Sequence, residues 1–585
     1  MRTHRCGALR AGDIGKRVRL GGWVHRRRNL GGLVFLDVRD RDGMVQVSLG
    51  PEWSSADLIA VALDVAPESV VLVEGDVCPR PEDARNPDMA TGDVEVRAST
   101  LQVVGPAASQ LPIPVWRTKG EDLPAEELRL EHRYLDLRRP ELQRNFELRH
   151  RLLQRSRSAM TALGFYEIET PILTKPTPEG ARDFLVPSRE HRGQFYALPQ
   201  SPQIYKQLLM VAGFDRYFQI ARCFRDEDLR ADRQLEFTQI DIEASFVSSE
   251  DVYGVLEELF VALWDEAGVD LGRPFPRLTH RDALERYGTD KPDLRFGMSI
   301  EDLTPTLRGR GFAAFESAVA NGGRVRGIRV EGGARLSRRD VEALAAEVRA
   351  AGVGGLATLK RIGDALSGPL AKLDGLSADA AGLPDGGLLV ACAGHDAATS
   401  DALDRVRRAV IKRLAVAPTT EHAFLWVHEF PLFERDPISE QWVFAHHPFT
   451  APHQDDRDAL LAGRCEGIRA QHYDLVYNGH ELGSGSMRIT DPTVQERVFE
   501  LLGFSPEQID LRFGFLLRAL GMGAPPHGGF AVGFDRVAML LAGASSLRDV
   551  IAFPKTTAAR ALFEGAPSPV PSEELRDLGI EVRPA

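Results

Sequence analysis

Between Phe224 and Glu243 the chain reads FRDEDLRADRQLEFTQIDIE, which sets Arg225, Arg230 and Arg233 among Asp226, Glu227, Asp228 and Asp232. Arginines fixed by neighbouring carboxylates form a clamp for phosphate oxygens. A solvated hairpin tip is the bland alternative, and the residues that follow argue against it. Their alternation predicts a strand with Phe237, Gln239, Asp241 and Glu243 on one face and Ile240 and Ile242 on the other. One rigid face would then carry a cation, an aromatic ring and carboxylates. A nucleotide needs an arginine for its phosphates and a ring for its base.

Other stretches supply matching parts. In YDLVYNGHELGSGSMRI, Asp474 and Glu481 flank an Asn478-Gly479 turn, and Arg488 follows a glycine-rich run. Two carboxylates facing each other across a hairpin can hold Mg²⁺ between substrate phosphates. Taken alone, one acidic residue on each exposed strand is the better reading. GGFAVGFDRVAMLLAG reads as a strand running into a helix, with Gly533, Phe534, Asp535 and Arg536 at the junction. Such a turn aims backbone N–H groups at an anion, and an arginine adds charge. A helix-capping Asp535-Arg536 pair is the alternative. His446 and His447 in HHPFT lack the further ligands a metal site wants. Gln203 and Lys206 stand one helical turn apart, so both face one pocket or both face solvent. Taken singly, solvent is the better reading for both.

The elements that must position these groups can be read coarsely. A chain of 585 residues is too long for one core, so several domains are expected. Residues 1–104 read as short strands. There LVFLDVRD and MVQVSL flank Asp42-Gly43, a hairpin signal that sets Arg39 opposite Gln46. Phe35, Asp37, Arg39, Gln46 and Ser48 then share an exposed face, while Val34, Leu36 and Val38 point inward. Beside Arg26, Arg27 and Arg28 this is either a platform for single-stranded nucleic acid or the plain polar face of a small barrel. The net charge of −12 argues against nucleic acid, but residues 1–50 hold 11 Lys and Arg against 4 Asp and Glu. A basic module on an acidic body is expected to meet a polyanion at one end.

Residues 105–130 are proline-rich and read as a linker or hinge. Helical spacing is clear over 145–163, and Val252, Val255, Leu256, Leu259, Phe260 and Leu263 form a core stripe. Residues 298–420 turn Ala- and Gly-rich without evident chemistry. No apolar run reaches membrane length, the N-terminus lacks a signal-peptide segment, and five dispersed cysteines form no C-x-x-C pair. The expectation is a cytoplasmic protein with no membrane association.

Together these strings resemble class II aminoacyl-tRNA synthetases. FRDE with EFTQIDIE is similar to their motif 2, GFDR to motif 3, and the helix leading to ETP to motif 1 at the dimer interface. TPEGARDF, QSPQIYKQ, RCFRDEDLRADRQ, HHPFT and APPHGGFAVGFDR resemble the bacterial aspartyl-tRNA synthetases. The resemblance covers essentially the whole chain. It implies a multidomain α+β protein: an N-terminal OB-fold β-barrel (1–104), a linker (105–130), a class II antiparallel-sheet catalytic core flanked by helices in two parts (131–297 and 421–585), and an inserted α+β domain (298–420).

The resemblance also implies roles. The enzyme would join L-aspartate to ATP, release pyrophosphate, and pass aspartate to the 3′-terminal ribose of tRNA(Asp). Arg225, Glu227 and Arg536 would be catalytic, with Arg225 on the α-phosphate and Arg536 on the γ-phosphate. Phe237 would stack on adenine, and Asp226, Gln234, Glu481, Gly533, Phe534 and Asp535 would complete the ATP set. Asp474 and Glu481 would hold Mg²⁺. Lys206 and Arg488 would read the side-chain carboxylate of aspartate, with Arg225 near. Glu179, Gln203 and Asp241 would surround its ammonium group, and His446 and His447 would close the site. Arg26, Arg27, Arg28, Leu30, Phe35, Gln46, Arg80 and Glu95 match anticodon-facing positions. A homodimer through motif 1 is implied. Leu30 resembles the type that discriminates against tRNA(Asn). The alternatives are an enzyme charging both tRNA(Asp) and tRNA(Asn), a synthetase for asparagine or lysine, a catalytically inactive RNA-binding paralogue, and a stand-alone asparagine synthetase. Ser484 departs from the family pattern by standing where a glycine is common.

Overall fold

In the computed structural model, residues 1–117, 120–177, 180–227 and 233–583 are described. The chain divides into two compact units, Met1–Arg144 with Ala561–Glu564, and Asn145–Arg560 with Gly565–Ala585.

The first unit is built on a closed five-stranded barrel. Its strands are β1 (Arg17–Leu30), β2 (Leu33–Asp40), β3 (Gly43–Leu49), β4 (Val70–Pro79) and β5 (Val94–Gly105), in the order β1-β2-β3-β5-β4. Val34, Leu36, Val38, Val45 and Val47 fill the interior, as alternation requires. The β2–β3 turn differs from expectation. Asp40 pairs with Gly43, so Arg41 and Asp42 form the turn, and Arg39 lies opposite Met44 rather than Gln46. Gln46 instead faces Asp37. A two-residue slip keeps every side chain on its predicted face. Gly7 passes beneath this turn, where a Cβ would lie 2.0 Å from the Asp42 carbonyl oxygen. Helix α1 (Ala56–Asp64) starts at Ser55, whose hydroxyl accepts the Leu58 N–H. The segment expected as a linker has a small core of its own, in which Ile113 and Val115 pack with Leu135.

The second unit centres on an eight-stranded sheet. Helix α2 (Pro140–Ala162) leads to the two-residue strand β6 (Tyr166–Glu167). Then come α3 (Gln203–Val211), β7 (Arg216–Phe224), β8 (Glu236–Ser245), α4 (Ser249–Glu266) and β9 (Arg277–Thr279). A separate five-stranded sheet follows, formed by β10 (Ile300–Asp302), β11 (Arg324–Val330), β12 (Ala357–Ile362), β13 (Ala365–Ser367) and β14 (Leu388–Gly394) in the order β10-β11-β14-β12-β13. Helices α5 (Arg338–Ala350) and α6 (Asp396–Leu414) pack on it through Leu344, Val348, Leu403 and Val406. The main sheet resumes with β15 (Phe424–His428), β16 (His472–Tyr477), β17 (His480–Met487) and β18 (His527–Gly533), which runs into α7 (Phe534–Leu541).

The order across the main sheet is β9-β15-β16-β17-β18-β8-β7-β6. All pairs are antiparallel except the two at the edges. One face buries Ile240, Ile242, Trp426, Tyr473 and Phe530 against Leu152 and Met160 of α2 and the stripe of α4. The other face therefore carries Gln239, Asp241, Glu243, His472 and Asp474. Among the described residues, no helix is long and apolar enough to cross a membrane.

Candidate active site

Two cavities open on that polar face. The first, about 290 Å³, is lined by Arg225, Glu227, Gln234, Phe237, Glu481 and Arg536, among others. The Arg225 guanidinium stands 5.1 Å from the Phe237 ring centroid. Glu227 pairs with Arg233 at 3.0 Å. Gln234 grips the backbone of Lys555 from both ends of its amide, at 3.1 and 2.9 Å. Arg536 donates to the Glu481 carbonyl. Gly533 and Asp535 also line this space. The Asp535 carboxylate, however, accepts the Thr238 N–H at 2.8 Å and pairs with Arg149 at 2.6 Å. Phe534 does not reach the cavity. It is fully buried in the apolar core beneath Arg149, 4.8 Å from its ring. Successive residues at a helix start diverge by about 100°, so members of GFDR face different ways. Asp226 does not line the cavity, and bridges Arg182 instead. Glu179, Asp228, Arg230 and Asp232 lie outside the described residues.

The second cavity, about 280 Å³, shares Arg225, Glu227, Gln239, Ser484 and Ala531 with the first. It brings together Gln203, Lys206, Asp241, His446, His447 and Arg488. Gln203 and Lys206 are both buried, so they face the pocket and not solvent. Lys206 Nζ reaches Asp241 Oδ1 at 3.0 Å and Glu243 Oε2 at 3.5 Å. Arg488 forks onto Glu243 at 2.9 and 3.0 Å and donates to His447 Nε2 at 2.9 Å. Burial pushes the Glu243 carboxyl up, but Arg488 and Lys206 outweigh it and hold it below its ordinary range. At Asp241 burial wins over Lys206, and the carboxyl is raised. Asp241 Oδ2 and Gln203 Nε2 are buried without a hydrogen-bond partner in the chain. They offer an acceptor and a donor to a polar head group.

Glu243, which orients Arg488, was not among the expected site residues. Its signal was available: it continues the face of Gln239 and Asp241 at the same spacing of two.

Asp474 and Glu481 are not directly opposite. Asp474 pairs with Ser484 and Glu481 with Val476, with a bulge between them. Glu481 still senses Asp474. Burial, then Asp474, raises Glu481 to about 6. Burial, then Asp290, raises Asp474 well above the carboxylate range. His472 bonds Asp474 Oδ1 through Nε2 at 2.9 Å. Burial holds His446, His447 and His472 neutral, the last down to about 3.

The barrel unit gathers the other expected residues except Arg27 on one face, but that face is more enclosed than foreseen. Asp37, Arg39, Gln46, Ser48, Arg80 and Glu95 are all buried. Gln46 donates to Glu95 at 2.9 Å, and Arg28 bonds Asp37 at 2.8 Å and Gln46 at 3.1 Å. Arg28 also lies 5.8 Å from the half-buried Phe35 ring. Arg80 donates to the Val94 carbonyl. Arg27 turns away to the carbonyls of Leu63 and Val65 after α1. Arg26 and Leu30 are exposed.

A family model described as tRNA synthetases class II (D, K and N) matches residues 125–557. The chain belongs to this class II synthetase family. An OB-fold nucleic acid binding domain matches residues 18–104, over the barrel. The synthetase is 49% identical to the Aspartate–tRNA(Asp/Asn) ligase of Bacillus cereus, across 99% of this chain and 98% of that one. The identity to the ligase of the same name from a Geobacillus species is also 49%, with the same coverage. Among solved structures, the synthetase resembles asparaginyl-tRNA synthetase from Pyrococcus horikoshii complexed with asparaginyl-adenylate. The TM-score is 0.59 at 19% identity, covering 95% of this chain and 98% of the other. Aspartyl-tRNA synthetase from Entamoeba histolytica gives 0.56 at 19%, covering 93% and 89%. At such identities these two matches speak for the fold alone.

Proposed function

We propose that this synthetase is an aspartate–tRNA ligase. One observation carries the reading: Arg225 lines both cavities. It thus stands between a space holding Phe237 and an adjoining one of similar volume holding Lys206 and Arg488. ATP would occupy the first, with Phe237 under adenine and Arg536 toward the outer phosphates. Aspartate would occupy the second, with Lys206 and Arg488 on its side-chain carboxylate. Gln203 and Asp241 would take its ammonium group, and His446 and His447 would close over it. The α-carboxylate would then meet the α-phosphate beside Arg225.

That carboxylate is already a nucleophile, so no general base is required. Catalysis is positioning plus neutralisation of phosphate charge. Glu227 holds Arg233 near the phosphates, and Gln234 fixes the loop by gripping Lys555. An amide in place of the side-chain carboxylate would leave two buried cations facing a neutral group, which rejects asparagine by charge.

Mg²⁺, which the family implies, fits Asp474 and Glu481. Two carboxylates whose proton affinity is raised, Glu481 by burial and by Asp474, Asp474 by burial and by Asp290, are a donor set awaiting a hard cation. Bound there, the ion would neutralise phosphate charge.

The barrel would meet the anticodon, with Phe35 stacking a base and Gln46, Glu95 and Arg80 reading edges. The narrower form of the proposal, supported by Leu30, charges tRNA(Asp) alone. A second reading, favoured by the printed names of the 49% identical relatives, adds tRNA(Asn). Homodimer formation along β6 is part of the proposal. The free edge of that strand and exposed Tyr166, Ile172 and Leu173 support it.

The test is charging of the two transcripts with radiolabelled aspartate, alongside aspartate-dependent ATP–pyrophosphate exchange. The proposal expects exchange and a charged tRNA(Asp). Charging of both transcripts selects the second reading. Silence in both assays ends the ligase reading.

A further inference from the structure

His472 lines the second cavity, and neither the motifs nor the proposed chemistry gave it a task. It shares a face of β16 with Asp474, two residues on. Its ring is fully buried. Nε2 lies 2.9 Å from Asp474 Oδ1, and Nδ1 has no hydrogen-bond partner in the chain. With a cation bound, Asp474 would be ionised, Nε2 would donate to it, and Nδ1 would be a bare nitrogen. The ring face does something separate. It stacks on His446 at 3.4 Å between centroids and 10° between planes. Phe430 stands edge-on to both rings at 5.0 Å, so the stack cannot slide freely.

We propose that His472 is a positioning residue that joins the amino-acid cavity to the metal carboxylate, its nitrogen aiming Asp474 and its face seating His446. The inference rests on the ligase reading for what the two ends bind. Groups that orient a metal's ligands act on metal affinity without touching the ion, with effects of about 10- to 100-fold. His446 would hold its place over bound aspartate only while the ring beneath it is flat. One side chain would thus set both the cation requirement and the aspartate requirement, through different atoms.

Different atoms allow the two roles to be separated. His472→Phe keeps a flat ring and removes the donor. His472→Gln keeps an amide donor near the Nε2 position and removes the ring. The full-length enzyme would be assayed by ATP–pyrophosphate exchange, varying Mg²⁺ and aspartate in turn. Mn²⁺ alone would also be titrated onto the substrate-free enzyme and followed by electron paramagnetic resonance. For His472→Phe the expected result is a Mg²⁺ requirement raised about tenfold, Mn²⁺ binding weakened to match, and an unchanged aspartate KM. For His472→Gln it is a raised aspartate KM with Mg²⁺ and Mn²⁺ behaviour near wild type. His472→Ala should shift both. If the phenylalanine variant folds poorly, the alanine and glutamine variants still differ in cation requirement. Equal shifts of both parameters in Phe and Gln variants, or none in either, would overturn the proposal. A wild-type enzyme silent in exchange would sink the ligase reading, and the Mn²⁺ titrations would still decide this one.

Discussion

Arg488 and Lys206 carry positive charge into a buried cavity, and Glu243 and Asp241 go in with them. Removing one partner of a buried pair strands the other, which costs about 3–5 kcal/mol, whereas replacing both by apolar groups is often neutral. Arg488→Leu should therefore lower stability by about that amount and abolish aspartate-dependent exchange. Adding Glu243→Leu should return most of the stability and none of the activity. Urea denaturation and exchange, measured on the same samples, check both halves. A double variant that regained activity would mean that Arg488 does not bind substrate. The buried histidines give a pH dependence of definite sign. His447 is held well below its ordinary pKa by burial and by Arg488. In the unfolded chain it takes up a proton below about pH 6.5, while in the folded enzyme it does not. Its contribution to stability is therefore intact above that value and falls by about 1.4 kcal/mol per pH unit below it. His447→Gln removes this slope. Wild type and variant should converge in unfolding free energy between pH 7 and 5.5, and parallel curves would refute the buried neutral state.

Asp535 shows how elements are stitched around the nucleotide cavity. It starts α7, accepts the Thr238 N–H of β8, and pairs with Arg149 of α2. Asp535→Ala would leave Arg149 buried against Phe534 without its counter-charge. A loss of about 3–5 kcal/mol is expected, with a raised KM for ATP because Phe237 is next to Thr238 on β8. Thermal unfolding and exchange kinetics measure the two effects. A raised KM at unchanged stability would place Asp535 in substrate binding directly. This stitching was not legible in the sequence, where Asp535 read as part of the nucleotide set. Alternation did reveal β7, β8 and the face they present, because a period of two is written in residue types. It could not reveal which groups that face pairs across the sheet, so Glu243, though placed on that face, was given no role, and His472 was passed over. The β2–β3 turn was misplaced by one residue, and the pairing by two, because Asp42-Gly43 is a strong local signal. The packing of Gly7 beneath it is tertiary. Burial was misjudged for the same reason: Gln46, Arg80 and Glu95 look exposed as residue types, yet Gln46 bonds Glu95 and Arg80 bonds the Val94 carbonyl.

Across the whole molecule, the proposed substrates divide between the two units. Every group assigned to ATP, aspartate and Mg²⁺ belongs to residues 145–560, and every group assigned to the anticodon belongs to residues 1–144. Amino-acid activation uses none of the second set. Variants of the barrel face should therefore leave ATP–pyrophosphate exchange at the wild-type level and weaken tRNA charging alone. Phe35→Ala is the sharpest case. Its ring is half-buried, with Val34 and Leu36 beside it carrying the barrel core, so its removal leaves that core intact. Loss of a base–aromatic stack is worth about 1–3 kcal/mol, which predicts a tRNA KM raised about 5- to 150-fold. Gln46→Ala should have a mixed effect, since it also releases Arg28 and Glu95 from their hydrogen bonds. Comparing exchange, charging and thermal unfolding for these two variants tests the division. If Phe35→Ala slowed exchange without a change in thermal stability, activation would depend on the barrel. The two units would then act as one catalytic device rather than as a reader and a chemist in series.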